Sequence, residues 1–146
     1  MSLNKVVDIL LVEDDAGDVE LTREGLAAGK MFVHLHTVDD GIKALRFLRH
    51  EAPYADAIRP DIILLDLNLP RMDGRETLKE IKSDERLRTI PVVVLTTSEA
   101  DSDILKCYDL GASCYISKPV GFQEFLKVVR SLEEFWFTIV KMPPKE

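Results

Sequence analysis

Cysteine is scarce in this chain. The two thiols, Cys107 and Cys114, have no metal-type spacing with the three histidines, and a domain of this size needs no disulfide to fold, so a reduced, cytoplasmic protein is expected. Basic charge is also in deficit: 19 Lys and Arg face 26 Asp and Glu, a net charge of −7. No Lys/Arg run reaches the density of a nucleic-acid footprint, so direct DNA or RNA binding is not expected. No apolar run approaches the roughly 20 residues that span a bilayer, and the N-terminus has no charged-then-apolar leader, so neither membrane insertion nor secretion is expected. Seven Gly and seven Pro are scattered rather than clustered, which sets aside collagenous, repeat and low-complexity architectures. A chain of 146 residues has room for one well-formed core and not for two.

Short aliphatic runs mark the framework. Asp8 to Val12 (DILLV), Ile62 to Leu65 (IILL) and Pro91 to Leu95 (PVVVL) are long enough for strands and too short for helices, and they read as strands buried on both faces of a parallel sheet. Weaker runs at Phe32 to Val38 and Cys114 to Ser117 bring the strands to five. Helix-length amphipathic segments lie between them: about Gly17 to Ala28, Gly41 to His50, Arg75 to Lys82 and Ala100 to Leu110, the last closed by Gly111 as a C-cap. A fifth carries Phe122, Phe125, Leu126, Val129, Leu132, Trp136 and Val140 at helical spacing and stops before Pro143-Pro144. Strict alternation predicts right-handed crossovers and an open, doubly wound α/β sheet. The working site of such a sheet lies at the carboxyl ends of its strands, near the switch point.

Those ends carry Glu13-Asp14-Asp15 after the first run, Asp66 after the third, Thr96-Thr97-Ser98 after the fourth and Lys118-Pro119 after the fifth. Glu13, Asp14 and Asp66 brought together repel one another unless they take up protons or share a cation. The donors are all oxygens, which points to Mg²⁺ or Mn²⁺ with retained waters rather than zinc or copper. Lys118 adds one fixed positive charge and Thr96 a hydroxyl. Carboxylates, a hard metal, a hydroxyl and a lysine together describe a site for a transferring phosphoryl group. Asp15 and Asp18 read as helix N-terminal charge instead. His34, His36 and His50 are expected to be structural, since none is placed to pair with Asp66.

The joint order of LLVEDD, DLNLPRMDG around Asp66, Thr96 30 residues later and Lys118-Pro119 a further 22 on resembles the response-regulator receiver domain of two-component signalling, over about residues 7 to 132. The resemblance implies the flavodoxin-like receiver fold with strand order 2-1-3-4-5 and five helices. It makes residues 1–146 one receiver domain, with residues 133–146 a C-terminal helical extension. It makes Asp66 the phosphoacceptor, fed by the phosphohistidine of a sensor histidine kinase. Asp14 and Asp66 would ligate the metal, Glu13 would hold a metal-bound water, and the backbone carbonyl of Asn68 would complete the protein ligands. Thr96 and Lys118 would bind phosphoryl oxygens. Thr96 and Tyr115 would form the switch that repacks the face of the fourth helix, fifth strand and fifth helix, and the Lys118-Pro119 peptide would be cis. Pro70 and Gly74 would shape the loop around the metal.

Alternatives of other classes use the same residues. A metal-dependent phosphohydrolase lacks a second acid beside Asp66 for general acid/base work. A flavin-binding domain of similar topology would not place carboxylates in its phosphate loop. A docking module independent of phosphorylation leaves the intact acid pocket unexplained. After residue 132 no output domain is expected, so the signal would travel through protein contacts. The long loop Glu51 to Pro60 and the tail EEFWFTIVKMPP resemble the small receivers that partner phytochrome-type histidine kinases. Two apolar stripes on the final helix, one with Phe125, Leu132 and Trp136 and one with Phe135 and Ile139, are more than one intramolecular contact buries, so a homodimer is expected.

Overall fold

Residues Val7 to Val12 are all buried, as are all five residues of Ile62–Asp66, which requires a layer of helix on each side of their sheet. The computed structural model describes residues 6–27, 32–96, 109–112 and 114–117. In chain order these form β1 (Val6–Val12), α1 (Ala16–Ala27), β2 (Phe32–Val38), α2 (Gly41–Leu48), β3 (Ile62–Asp66), α3 (Gly74–Ser83), β4 (Val92–Thr96) and β5 (Cys114–Ser117). The expected helix over 122–140, most of the 100–110 segment and the Lys118-Pro119 peptide lie outside the described residues. Gly111 is described, and its φ of 102° is the left-handed backbone expected of the glycine that closes the 100–110 segment.

The five strands pair in the order β2-β1-β3-β4-β5, and every pair is parallel. The side-chain period of two sends alternate residues to opposite faces. Leu10, Val12, Ile63, Leu65, Val92 and Val94 pack with Phe47 of α2 and Leu78 and Ile81 of α3. Val7, Ile9, Leu11, Leu64, Val93 and Leu95 pack on the other face with Leu26 and Val19 of α1. Each fully buried aliphatic side chain contributes roughly 1.5–3 kcal/mol, so the two-faced strands stabilise the sheet well out of proportion to their length. The chain runs outward from β1 to β2 and then returns to β3. The switch point therefore lies between β1 and β3, the strands that lead into Glu13 and end in Asp66.

Local chemistry sets the ends of the elements. Asp15 begins α1: its carboxylate accepts the Asp18 N–H at 3.0 Å and its carbonyl accepts that of Val19, the N-cap arrangement expected for a helix-start acid. Asp40 does the same for α2, accepting the Lys43 N–H at 2.7 Å. Helix α2 stops at Leu48, two residues short of the expected end, because Arg49 leaves helical geometry and His50 takes φ 56°. Strand β1 starts at Val6 rather than Asp8, since Val6 and Val7 pair with Phe32 and Val33.

Candidate metal centre at the carboxyl edge

Glu13, Asp14 and Asp66 each bring one carboxylate oxygen into a group spanning no more than 4.8 Å. Three different local structures deliver them. Glu13 leaves β1 with its N–H donated to the Val38 carbonyl at 3.0 Å, so the end of β2 holds it, and its Oε2 accepts the Asp15 N–H at 3.2 Å. Its side chain is turned in and only 4% of the residue is exposed. Asp14, one residue on, is exposed and leaves the group open to solvent on one side. Asp66 is the last residue of β3 rather than the first after it, pairing with Leu95 of β4, and is 3% exposed. A rigid, buried strand therefore fixes its carboxylate.

The loop after Asp66 is closed by its own backbone. Asn68 donates its N–H to Asp66 Oδ1 at 3.2 Å, Leu67 donates to the Leu95 carbonyl at 3.1 Å, Met72 to Pro70 at 2.7 Å and Gly74 to Leu67 at 3.0 Å. A Cβ on Gly74 would collide with the Asp66 carbonyl oxygen and the Leu67 Cα, so the absence of a side chain there lets α3 start directly beneath the Asp66 loop. Asn68 is thus tied to Asp66 through its N–H. Thr96 ends β4 and pairs with Ser117, one position beyond the level of Asp66, and Tyr115 pairs with Val94. Lys118 lies outside the described residues.

Three carboxylates this close, two of them nearly buried, repel strongly unless a cation compensates. The donors are exclusively oxygens and the exposed side gives room for retained water, which fits Mg²⁺ or Mn²⁺. A cavity of about 410 Å³ beside Glu13 and Asp14 is lined further by Thr37, Asp39 and Lys43. Lys43 is engaged there by Asp39 at 2.8 Å, a contact that holds its ammonium pKa up.

Sequence reasoning missed one participant. Arg71, in the Asp66 loop, reaches Asp40 at the start of α2. Burial pushes the Asp40 carboxyl upward, but the Lys43 N–H and the Arg71 guanidinium together outweigh it and hold the group below the ordinary carboxylate range. Nothing local in the sequence signals a contact across 31 residues.

The comparisons with known proteins agree with this site. Residues 9–130 match the response regulator receiver domain. The response regulator Rcp1 of Synechocystis sp. is 43% identical over 135 residues, 92% of each chain. Its Mn²⁺-bound crystal structure superposes with a TM-score of 0.83, covering 94% of this chain and 99% of that one at 42% identity. The phosphorylated cyanobacterial phytochrome response regulator RcpA gives a TM-score of 0.85 at 47% identity, covering 96% of this chain and all of that one (100%). The receiver domain of the Pseudomonas aeruginosa sensor histidine kinase PA1611, crystallised with magnesium coordinated in its active-site cleft, gives 0.71 at 28% identity, covering 87% and 97%. With its acid group at the switch point of a 2-1-3-4-5 sheet and a match spanning most of its length, the chain belongs to the response regulator receiver domain family.

Proposed function

We propose that this receiver accepts a phosphoryl group on Asp66 from the phosphohistidine of a sensor histidine kinase and signals through the resulting change of shape. The observation that carries the reading is the convergence of Glu13, Asp14 and Asp66 within 4.8 Å at the carboxyl edge. In the transfer, an Asp66 carboxylate oxygen forms the new P–O bond as the P–N bond to the imidazole breaks, leaving an acyl phosphate on the receiver and a free imidazole on the kinase. Attack of water on that phosphorus later returns the carboxylate and inorganic phosphate. Mg²⁺ or Mn²⁺, held by Asp14, Asp66, the Asn68 carbonyl and Glu13 through water, would supply neutralising charge to the phosphoryl oxygens. Thr96 and Lys118 bind those oxygens, and Tyr115 repacks as the Thr96 hydroxyl moves toward them. The chain thus catalyses only its own phosphorylation and dephosphorylation. The phytochrome association of RcpA supports a phytochrome-type kinase as the donor, and the two apolar stripes in the sequence of residues 122–140 support a homodimer. The reduced thiols expected of Cys107 and Cys114 fit a cytoplasmic place of work.

Incubation of the chain with acetyl phosphate and Mg²⁺ tests the reading by intact mass. One phosphoryl group is expected, absent in Asp66→Asn. Normal yield in that variant, or continuous release of phosphate from a simple phosphoester, sinks it.

A further inference from the structure

At the other end of the sheet, two imidazoles and a carboxylate share one face. His34 and His36 are two apart on β2, so both project to the side of the sheet that α2 covers. There His36 packs its ring 5.8 Å from that of Phe47. Asp8 of β1 is the register partner of His34 and projects to the same side. A single oxygen, Asp8 Oδ1, stands 3.6 Å from His34 Nδ1 and 3.3 Å from His36 Nε2. The Asp8 backbone is fixed beneath it, donating its N–H to the Asp61 carboxylate at 2.9 Å and accepting the Asp61 N–H at 2.7 Å.

We propose that Asp8, His34 and His36 form a second metal site, selective for a borderline cation of the Zn²⁺ class. His36 Nε2 stands at hydrogen-bond distance from Asp8 Oδ1, 3.3 Å, whereas the His34 separation of 3.6 Å lies beyond the limit of a good N–H···O bond, about 3.2 Å. Both separations match the spacing of ligands around a tetrahedral ion: bonds of about 2.0–2.1 Å place neighbouring donor atoms roughly 3.3 Å apart. The imidazoles are wider apart, with ring centroids at 6.5 Å. As they stand, only Glu13, Asp14 and Asp66 among the described residues bring three donor atoms within 4.8 Å of one another, so His34, with 68% of its side chain exposed, would have to turn toward His36 for this set to close on one ion. Two imidazoles and one carboxylate are the donor set of zinc sites that leave a position for water, and they suit Mg²⁺ poorly. The acid group is a different place on the molecule, five residues along β1 from Asp8 and so roughly 16 Å away. A metal held here would clamp the edge strand β2 to β1 and stabilise the folded chain by mass action.

The test is a calorimetric titration of ZnCl₂ into the full chain in saturating Mg²⁺, which keeps the acid group occupied, with thermal unfolding measured in parallel. One Zn²⁺ per chain and a raised unfolding midpoint are expected. His34→Gln and His36→Gln should each weaken the Zn²⁺ affinity by about 10–100-fold or more, as even the loss of a supporting partner does. Both should leave the Mg²⁺ affinity and acetyl-phosphate labelling of Asp66 unchanged. Because His34 is largely exposed, its variant tests the site without a folding defect. Absence of Zn²⁺ uptake by the parent chain, or uptake of equal affinity in both histidine variants, overturns the proposal.

Discussion

Arg71 Nε lies 2.6 Å from Asp40 Oδ2, and the Asp40 side chain is only 2% exposed. Its other oxygen caps α2 through the Lys43 N–H, so one carboxylate joins the first turn of that helix to the loop that follows Asp66. Arg71 sits at φ 65°, a left-handed backbone that costs a non-glycine residue about 1–2 kcal/mol. A charge-assisted contact, buried on the Asp40 side and open to solvent on the Arg71 side, offsets part of such a cost.

Substitution separates the two effects. Arg71→Ala keeps the unfavourable φ and loses the guanidinium, so urea unfolding should show a loss of stability, since the buried Asp40 carboxylate is left with the Lys43 N–H but without its cation. Arg71→Gly loses the same contact but relieves the backbone, and should be milder by about 1 kcal/mol. If the glycine variant is the weaker of the two, the backbone is not strained there.

Asp40 also sets an acid limit. Its folded pKa lies below the unfolded value of 3.8, so the stability it contributes is complete above 3.8 and is lost as pH falls through the lower folded value. Unfolding midpoints measured between pH 5 and pH 2 should fall less steeply for Asp40→Asn than for the parent chain below about pH 4. Parallel curves would show that Asp40 does not carry this part of the acid response.

Much of the framework was legible because buried parallel strands advertise themselves. Phe32–Val38 and Cys114–Ser117 form strands with the expected bounds, and Glu13, Asp14 and Asp66 meet as their positions after apolar runs required. The errors came where pairing, not composition, sets an end. β3 and β4 each run one residue further, through Asp66 and Thr96, because the ladder continues to Leu95 and Ser117. The contacts that escaped notice are cross-chain ones. Arg71 finds Asp40, and Asp8 finds His34 and His36, only through strand register and loop path, which hydrophobic period does not encode.

Metal affinity should follow from the exposure of Asp14 and from the few protein donors available. Few protein ligands and several waters make for weak Mg²⁺ binding, and calorimetry in dilute buffer should show it. Asp14→Ala should abolish the Mg²⁺ signal and acetyl-phosphate labelling together while leaving urea stability unchanged or raised, since one member of a repulsive group is gone. An unaltered Mg²⁺ isotherm in that variant means the three carboxylates do not act as one site.

Gly74 offers the sharpest test of how the acceptor is held. A methyl group there meets backbone on both sides, the Asp66 carbonyl oxygen and the Leu67 Cα, and neither can step aside as a flexible side chain would. Gly74 also donates its N–H to the Leu67 carbonyl, so any shift of the loop carries the end of β3 with it. Gly74→Ala should therefore cost about 1–3 kcal/mol, as overpacking does. It should slow labelling of Asp66 by up to about 100-fold, the scale reached when a reacting group is misplaced by an ångström. Lys79→Ala, an exposed change beyond the first turn of the same helix, serves as the control and should alter neither quantity. Labelling rates are compared well below the unfolding midpoint, so that both variants are fully folded. If Gly74→Ala loses stability but labels at the parent rate, the glycine serves the start of α3 alone and the position of Asp66 is set by β3 without it.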